Sequence, residues 1–369
     1  MSDLYIGLMS GTSIDGIDAV LVDFSSDNPQ LLKTLYSPYS ETIRKQILAL
    51  CTPDHNEIER MGECDHVLGK LFAQAVQALL KKANKTSAEI KAIGSHGQTI
   101  RHQPDLATRF TLQIGDPNII TAETGITTIA DFRRRDMAHG GQGAPLVPAF
   151  HQQIFSSSTK NRAIINIGGI ANVTLLPKSK SSLIGCDIGP GNTLLDAWIN
   201  RHQQRHHDHD GTWAAIGVIH EGLLQALLKD PFFVLPPPKS TGREYFNLMW
   251  LEKHLQKIDE NISAVDIQTT LTELTARIII TAIAQHFPEG ELLICGGGAR
   301  NTYLMTRLQT LAKPAFSISS TEMYGIHPDW VEAMAFAWLA KQTLYRKPGN
   351  LPSVTGASIA TILGGIYFQ

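Results

Sequence analysis

The chain has 369 residues, 43% of them hydrophobic, and a formal net charge of −2. That is enough apolar sequence for a large buried core, and the length suits two domains or one split body. Acids and bases nearly balance, and the one basic run, Arg133-Arg134-Arg135, reads as a solvated loop. This excludes a polyanion-binding surface of clustered cations, and with it nucleic acid as a partner.

Tyr5–Ser10 and Ile17–Phe24 read as strands joined by "MSGTSIDGID" (Met9–Asp18). The second alternates only loosely, which fits burial on both faces. His66–Ala83 is predicted as an amphipathic helix, with Val67, Leu68, Leu71, Phe72, Ala75, Val76, Leu79 and Leu80 at helical spacing. "IKAIGSHGQTIRH" follows as a short strand running into a polar loop. The Gly-rich, charged "ADFRRRDMAHGGQGAPLVPAFH" is the candidate crossing between two lobes. "RAIINIGGIANVTLLP" then repeats the opening design of strand, Gly turn and strand, so one supersecondary unit occurs twice. "SLIGCDIGPGNTLLDAWI" is a strand, a Gly-Pro-Gly turn and a helix with Asn192 as its N-cap. The prolines at 236–238 form a rigid loop ahead of "KSTGREYFN". Leu271–Phe287 and Glu332–Tyr345 are predicted helices, and "ELLICGGGARN" between them is a strand stopped by glycines. The apolar tail "GASIATILGGIYF" returns to an existing sheet. Strands alternating with long helices predict an α/β fold. The expected division is an N-terminal lobe of 1–131 plus about 349–369 and a C-terminal lobe of 132–348.

Cys51, Cys64, Cys186 and Cys295 make no CxxC pair and are expected to be reduced, buried thiols. Asp3 stands where a signal peptide would be basic, and no apolar stretch reaches the ~18 residues of a membrane span. A soluble cytoplasmic protein without a membrane partner is the expectation.

The opening turn carries the first chemistry. Glycines let backbone N–H groups approach an anion closely, and Thr12 and Ser13 add hydroxyl donors. Asp15 and Asp18 would repel phosphate but suit Mg²⁺ beside it. No Lys follows the glycines, so this is not a Walker loop, and an ordinary hairpin turn is the plain alternative. Gly168-Gly169 forms a second such turn, and Gly296-Gly297-Gly298 a third glycine site suited to a purine and its ribose. Asp187, at a strand end before Gly-Pro-Gly, is either a base or a turn Asp. His96, Gln98, Thr99, Arg101 and His102 suit sugar hydroxyls or an amide, with satisfied structural groups as the alternative. "HQQRHHDHD" lacks ordered ligand spacing and reads as a mobile, solvated loop. Glu332 either opens a helix as an acid favoured by the macrodipole or faces the cleft.

At these residues the chain resembles the bacterial anhydro-N-acetylmuramic acid kinase family, of the sugar kinase, actin and actin-like chaperone superfamily. "GLMSGTSIDGIDAVL", "GSHGQTIRH", "DFRRRDMAHGGQGAPLVPAFH", "NIGGIANVT", "CDIGPGNTLLD", "PPPKSTGREYFN" and "CGGGARN" carry the likeness from residue 5 to about residue 365. The resemblance implies a two-lobed, duplicated actin-like (ribonuclease-H-like) α/β fold with an interdomain cleft. It implies an ATP- and Mg²⁺-dependent kinase that opens the 1,6-anhydro ring of 1,6-anhydro-N-acetylmuramic acid with water and phosphorylates O6, in murein recycling. It places Gly11, Thr12, Ser13, Ile14, Asp15, Gly16, Ile17 and Asp18 on the ATP phosphates, with Asp15 and Asp18 as the metal's carboxylates. Gly168 and Gly169 make the second phosphate turn, and Gly296, Gly297 and Gly298 lie near adenosine. Asp187 becomes the catalytic base. Glu332 joins it among the catalytic residues, and with Arg133 marks the sugar site, to which His96, Gln98 and Thr99 add polar groups. Ile188 stands where Thr is expected in many relatives, removing a minor hydroxyl contact. A homodimer is also implied. The alternatives are a conventional kinase of another amino sugar and an actin-like ATPase with no sugar substrate.

Overall fold

The computed structural model describes residues 2–26, 28–179, 183–237 and 239–369, in two units: Met1–Ile154 with Trp330–Gln369, and Phe155–Asp329. The first unit is built on β1 (Leu4–Ser10), β2 (Gly16–Asp23), β3 (Gln30–Pro38), β4 (Ile90–Gln103), β5 (Phe110–Ile114) and β6 (Thr128–Ala130). Every residue of β1 is buried, because both faces of the strand are covered. Leu4, Ile6 and Leu8 pack with Leu68, Phe72, Val76 and Leu79 of the helix Glu57–Ala83. The alternate residues point the other way. There the helix Val331–Leu344 lies directly on backbone: an ideal Cβ on Gly7 would sit 1.9 Å from the Ala333 carbonyl oxygen, and one on Gly94 2.0 Å from that of Phe336.

β1, β2 and β3 form an antiparallel meander, while β1 runs parallel to β4 and β4 to β6, giving the order β6-β4-β1-β2-β3. The second unit has β7 (Arg162–Ile167), β8 (Ile170–Leu176), β9 (Ile184–Pro190), β10 (Gly290–Cys295) and β11 (Phe316–Ser320). Its order is β11-β10-β7-β8-β9, with the same senses: β7, β8 and β9 antiparallel, β7, β10 and β11 parallel. Ala163, Ile165 and Ile167 pack with Leu194 and Trp198 of the helix Thr193–Gln203 and with Leu271, Leu274 and Ile278 of the helix Ala264–Ala284. The repeated unit in the sequence is thus a repeated five-strand core, the duplicated α/β architecture of the actin-like fold. The tail does return to a sheet: β12 (Gly365–Tyr367) pairs antiparallel with β6.

Some expectations fail for identifiable reasons. The units divide at 154/155 and 329/330, not at 131 and 349. The Gly-rich passage is no crossing; the buried Asp136 ties it to the C-terminal segment. Its Oδ1 accepts from Asn350 Nδ2 and Thr355 Oγ1, both at 2.7 Å, and its Oδ2 from Gly143 N at 2.8 Å. "SHGQTIRH" is not a loop but the second half of β4, paired by β5, with Gly97 absorbing a kink at φ 72°. The helix placed at His66 starts at Glu57, the one placed at Leu271–Phe287 spans Ala264–Ala284, and the one placed at Glu332 spans Val331–Leu344. Asn192 occupies the N-cap position without capping through its side chain. Cys51 is exposed, whereas Cys64, Cys186 and Cys295 are buried, and none of the four is in a disulfide. In the histidine-rich stretch Asp208 is buried and accepts from Trp213 N at 3.0 Å and Ala214 N at 2.9 Å, so its end is anchored. Of the prolines at 236–238, Pro238 lies outside the described residues.

The close seat of the helix Val331–Leu344 makes a direct prediction. Gly7→Ala drives a methyl into the Ala333 carbonyl and is expected to cost about 3 kcal/mol, as overpacked cores do, measured by urea unfolding. Gly62→Ala, in the helix Glu57–Ala83, meets nothing within 4 Å and should leave stability unchanged or slightly raised.

Candidate active site

In the first unit the β1–β2 turn is held by buried Ser10 and Gln98 and by Tyr36 and Tyr39 of the neighbouring strand and its end. Tyr39 OH donates to Ser10 Oγ at 2.9 Å, and Ser10 Oγ is placed to donate to Gln98 Oε1 at 2.7 Å or Gly16 O at 2.9 Å. Gln98 Nε2 donates to Gly11 O at 3.2 Å. Tyr36 OH and Tyr39 N both donate to Asp15 O, at 3.0 and 2.9 Å. Ile14 closes the turn through Ile14 N to Gly11 O at 3.2 Å, with φ at 57° and its side chain buried in the core. A β-branched residue in the left-handed region is strained, and core burial is what holds it there.

The carbonyls of Gly11, Asp15 and Gly16 are therefore engaged, whereas nothing among the described residues accepts from the N–H groups of Thr12 and Ser13. Two backbone donors without a protein acceptor are available to a ligand at this turn. Not every residue assigned to it reaches outward. Ile14 and Ile17 bury their side chains and contribute backbone alone. Gly16 is required by β3, since a Cβ there would lie 2.4 Å from Ser37 O. Gly11 has room for one, its nearest neighbour being Ser13 Oγ at 3.8 Å.

Beside the turn lies a charged cluster. Asp18, the ladder partner of Met9, is pushed up to about 7, first by burial and then by Glu332 and Asp15. Burial also raises Glu332, against the pull of Arg133. Burial lowers Arg133 to about 10, with Glu332 and Asp136 opposing. His96 holds Arg133 in place. Its Nδ1 lies 2.8 Å from Gly97 O and 3.2 Å from Ser10 O, so Nδ1 carries the proton and Nε2 accepts from Arg133 Nη2 at 2.8 Å. Burial and the neighbouring guanidinium keep that imidazole neutral, lowering it to about 3. Arg133 Nη1 also donates to Gly143 O at 2.8 Å. Arg133 is thus no solvated loop residue. His96 and Gln98 are supports, one for Arg133 and one for the turn; half-buried Thr99 accepts from Gln113 Nε2 at 3.1 Å.

In the second unit three glycine sites meet at one end of the sheet. The β7–β8 turn presents its carbonyls to the start of the helix Thr193–Gln203: Gly191 N and Thr193 N donate to Gly169 O at 2.9 and 3.0 Å, and Asn192 N to Gly168 O at 2.8 Å. A Cβ on Gly191 would lie 2.4 Å from Gly168 O, so this approach needs glycine. Asn192 Nδ2 donates to Ile167 O at 3.2 Å, which occupies the side chain expected to cap. At the end of β10, Gly296 has φ 77° and a Cβ there would collide with Asn166 Oδ1; Gly298 packs on Ile167, and Gly297 is exposed.

Asp187 stands on β9, half-buried, with Oδ2 accepting from Thr241 N and Ser240 Oγ, both at 3.0 Å. Burial raises its carboxyl, while these donors and Lys239 pull it back. Ile188 points into the core, so a Thr there would not face Asp187's surroundings.

A family model described as anhydro-N-acetylmuramic acid kinase matches residues 3–369. The chain belongs to that family. A protein of Coxiella burnetii named anhydro-N-acetylmuramic acid kinase is 56% identical over 366 residues, covering 99% of this chain and 97% of the relative. One from Saccharophagus degradans with the same name is 52% identical, covering 99% and 98%, and one from Shewanella amazonensis is 53% identical, covering 99% and 98%. Family membership makes the chain a phosphotransferase.

Sequence reading missed the supports. Ser10, Tyr39, Ser240 and Thr241 act through partners far along the chain, and only the hydroxyls of "KSTG" signalled any of them.

The acid cluster predicts a measurable titration. In carboxyl NMR, Asp18 is expected to titrate near pH 7, and lower in Glu332→Gln, because the Glu332 charge is one of its raising causes. Its folded pKa lies above the unfolded value, so the stability it contributes is full below about pH 4 and is lost as pH rises through 7. Asp18→Asn should therefore be more resistant to urea than the parent at pH 8, and not at pH 3.5.

Proposed function

We propose that the chain uses ATP to open 1,6-anhydro-N-acetylmuramic acid hydrolytically and to phosphorylate its O6, giving N-acetylmuramic acid 6-phosphate and ADP in murein recycling. Family membership along residues 3–369 carries the substrate class. The observation that carries the mechanism is the lone, partly desolvated Asp187, held by Ser240 and Thr241 through one oxygen.

The anhydro bridge joins C1 to O6 of one sugar. Opening it needs a nucleophile at C1 and an acceptor for the electrons arriving on O6. A glycosidase meets both needs with two carboxylates. Here one suffices. Asp187 Oδ1, the oxygen not engaged by Ser240 and Thr241, takes a proton from water. The water oxygen bonds to C1, the C1–O6 bond breaks, and O6 bonds to the γ-phosphorus as the bond to the ADP oxygen breaks. The proton on Asp187 leaves to solvent. A carboxyl raised by burial is the stronger base, and activity should fall as pH drops through its raised value.

The N–H groups of Thr12 and Ser13 and the glycines 168–169 would bind the phosphates, and Gly296–Gly298 would border adenosine. Arg133 and Glu332 would orient the sugar, Arg133 kept rigid by His96. Asp15 and Asp18 would hold a divalent cation, the like charge of Asp15 being among the causes that raise Asp18. Mg²⁺ bound there would draw charge from the phosphoryl oxygens. Residence in the cytoplasm and assembly as a homodimer complete this reading. Among the described residues no helix is long and apolar enough to cross a membrane.

In ¹⁸O-water the label is expected in the C1 hydroxyl of the product; label in the new phosphate group, or none in the sugar, overturns the mechanism. Asp187→Asn should bind nucleotide normally and lose about 10³-fold in turnover, checked by calorimetry and a coupled ADP assay. A preference for the reducing sugar over the anhydro-sugar would instead mark a conventional sugar kinase.

A further inference from the structure

The segment after Lys239 does more than hold Asp187. Its next cation, Arg243, is exposed, and its guanidinium lies along the bare backbone of the β7–β8 turn. An ideal Cβ on Gly169 would sit 3.3 Å from Arg243 Nη2 and 3.4 Å from Nε. Among the described residues the Arg243 side chain has no carboxylate partner and donates no hydrogen bond to the protein. The neighbouring Glu244 does not pair with it; the Glu244 carboxylate folds back onto Gly242, where a Cβ would meet Oε2 at 2.1 Å, and its charge is one of those that raise Asp187.

An exposed arginine normally lies in solvent or against a carboxylate. This one lies over a glycine turn whose carbonyls are already used by Gly191, Asn192 and Thr193. A guanidinium offers a planar fork of donors that matches phosphoryl oxygens in pairs. We propose that Arg243 is a phosphate-contacting residue: it grips the γ-phosphoryl group of the nucleotide held at Gly168–Gly169 and stabilises the charge that spreads over it during transfer. The proposal rests on the reading of that turn as a phosphate site. The choice of the γ-group follows from the chain. Ser240 and Thr241 hold Asp187, the base acting at the sugar, so the phosphate nearest this segment is the one that goes to the sugar. A single stretch, Lys239–Arg243, would then carry both the clamp on the base and the clamp on the transferred group.

The test compares Arg243→Ala and Arg243→Lys with the parent enzyme, using calorimetry with ADP and with the non-hydrolysable analogue AMPPNP, and steady-state kinetics. The parent should bind both nucleotides. Arg243→Ala should bind ADP unchanged, bind AMPPNP about tenfold more weakly, and lose about 10²-fold in kcat with little change in KM for the sugar. Arg243→Lys should regain part of the charge effect but not the paired geometry. Added guanidinium ion should partly restore Arg243→Ala, which a packing role would not allow. The proposal is overturned if Arg243→Ala keeps the parent's AMPPNP affinity and kcat, or if ADP and AMPPNP weaken equally. If the parent itself binds neither nucleotide, the phosphate reading of the glycine turns fails, and this inference fails with it; the two failures are distinct. Thermal unfolding of both variants at the parent's midpoint confirms that only the exposed side chain has changed.

Discussion

The first unit depends on the absence of a side chain at Gly7 and Gly94. These two residues, on adjacent parallel strands, let the backbone of the helix Val331–Leu344 rest on the sheet itself. Any Cβ at either position would push that helix outward. Its seat fixes Glu332, the neighbour of Ala333, where its charge adds to the burial that raises Asp18 and opposes the burial that lowers Arg133. A packing constraint at the middle of the sheet thus becomes an electrostatic arrangement at its edge. The chain also returns to this unit after residue 329, so a carboxylate distant in sequence is delivered to the turn formed by the first two strands.

The second unit repeats the strand order but uses its glycines differently. In the first unit glycine admits a helix onto the sheet. In the second, Gly191, Gly296 and Gly298 admit loops onto one another, so that three turns converge at the ends of β7, β9 and β10. The shared topology supplies strand ends at corresponding places, and the local glycines decide what each end carries. That is the sense in which a duplicated scaffold supports unlike sites: the ladder is common, the chemistry is in the turns.

The repeat was legible because β1–β2 and β7–β8 are both apolar strands around a glycine turn, and their apolar runs are long enough to be read without tertiary context. The glycine turns and Asp187 were legible for the same local reason. What escaped was anything set by distant partners. "SHGQTIRH" looks like a loop because its residues are polar, yet it is strand in β4 and buried at Ser95–Gln98; the hydrogen bonds of Gln98 with Ser10 and Gly11, and of His96 with Arg133, are what make a polar strand tolerable there. The unit boundary was misplaced because Gly, Asp and Arg in 131–143 read as a linker. Bonds to the C-terminal segment, those from Asn350 and Thr355 to Asp136 among them, reveal that this passage is packed. β3 was missed because it is polar and partly exposed.

The two acids of greatest consequence are treated oppositely by their surroundings. Burial raises both Asp18 and Asp187. Around Asp187 the protein answers with two hydrogen bonds to one oxygen, which favour the charged form. Around Asp18 it adds further negative charge from Glu332 and Asp15 instead, so the carboxyl rises to about 7 and near neutrality is divided between its two forms. Packing alone would not retain such crowding, because it works against the folded state as pH rises. Under the proposed function, a cation bound beside Asp15 and Asp18 would relieve it. Arg133 cannot perform that relief by itself, since it is fixed by His96 and Gly143 and is itself lowered by burial. The first unit accordingly surrounds its raised acid with further negative charge, and the second gives its raised acid hydrogen-bond donors.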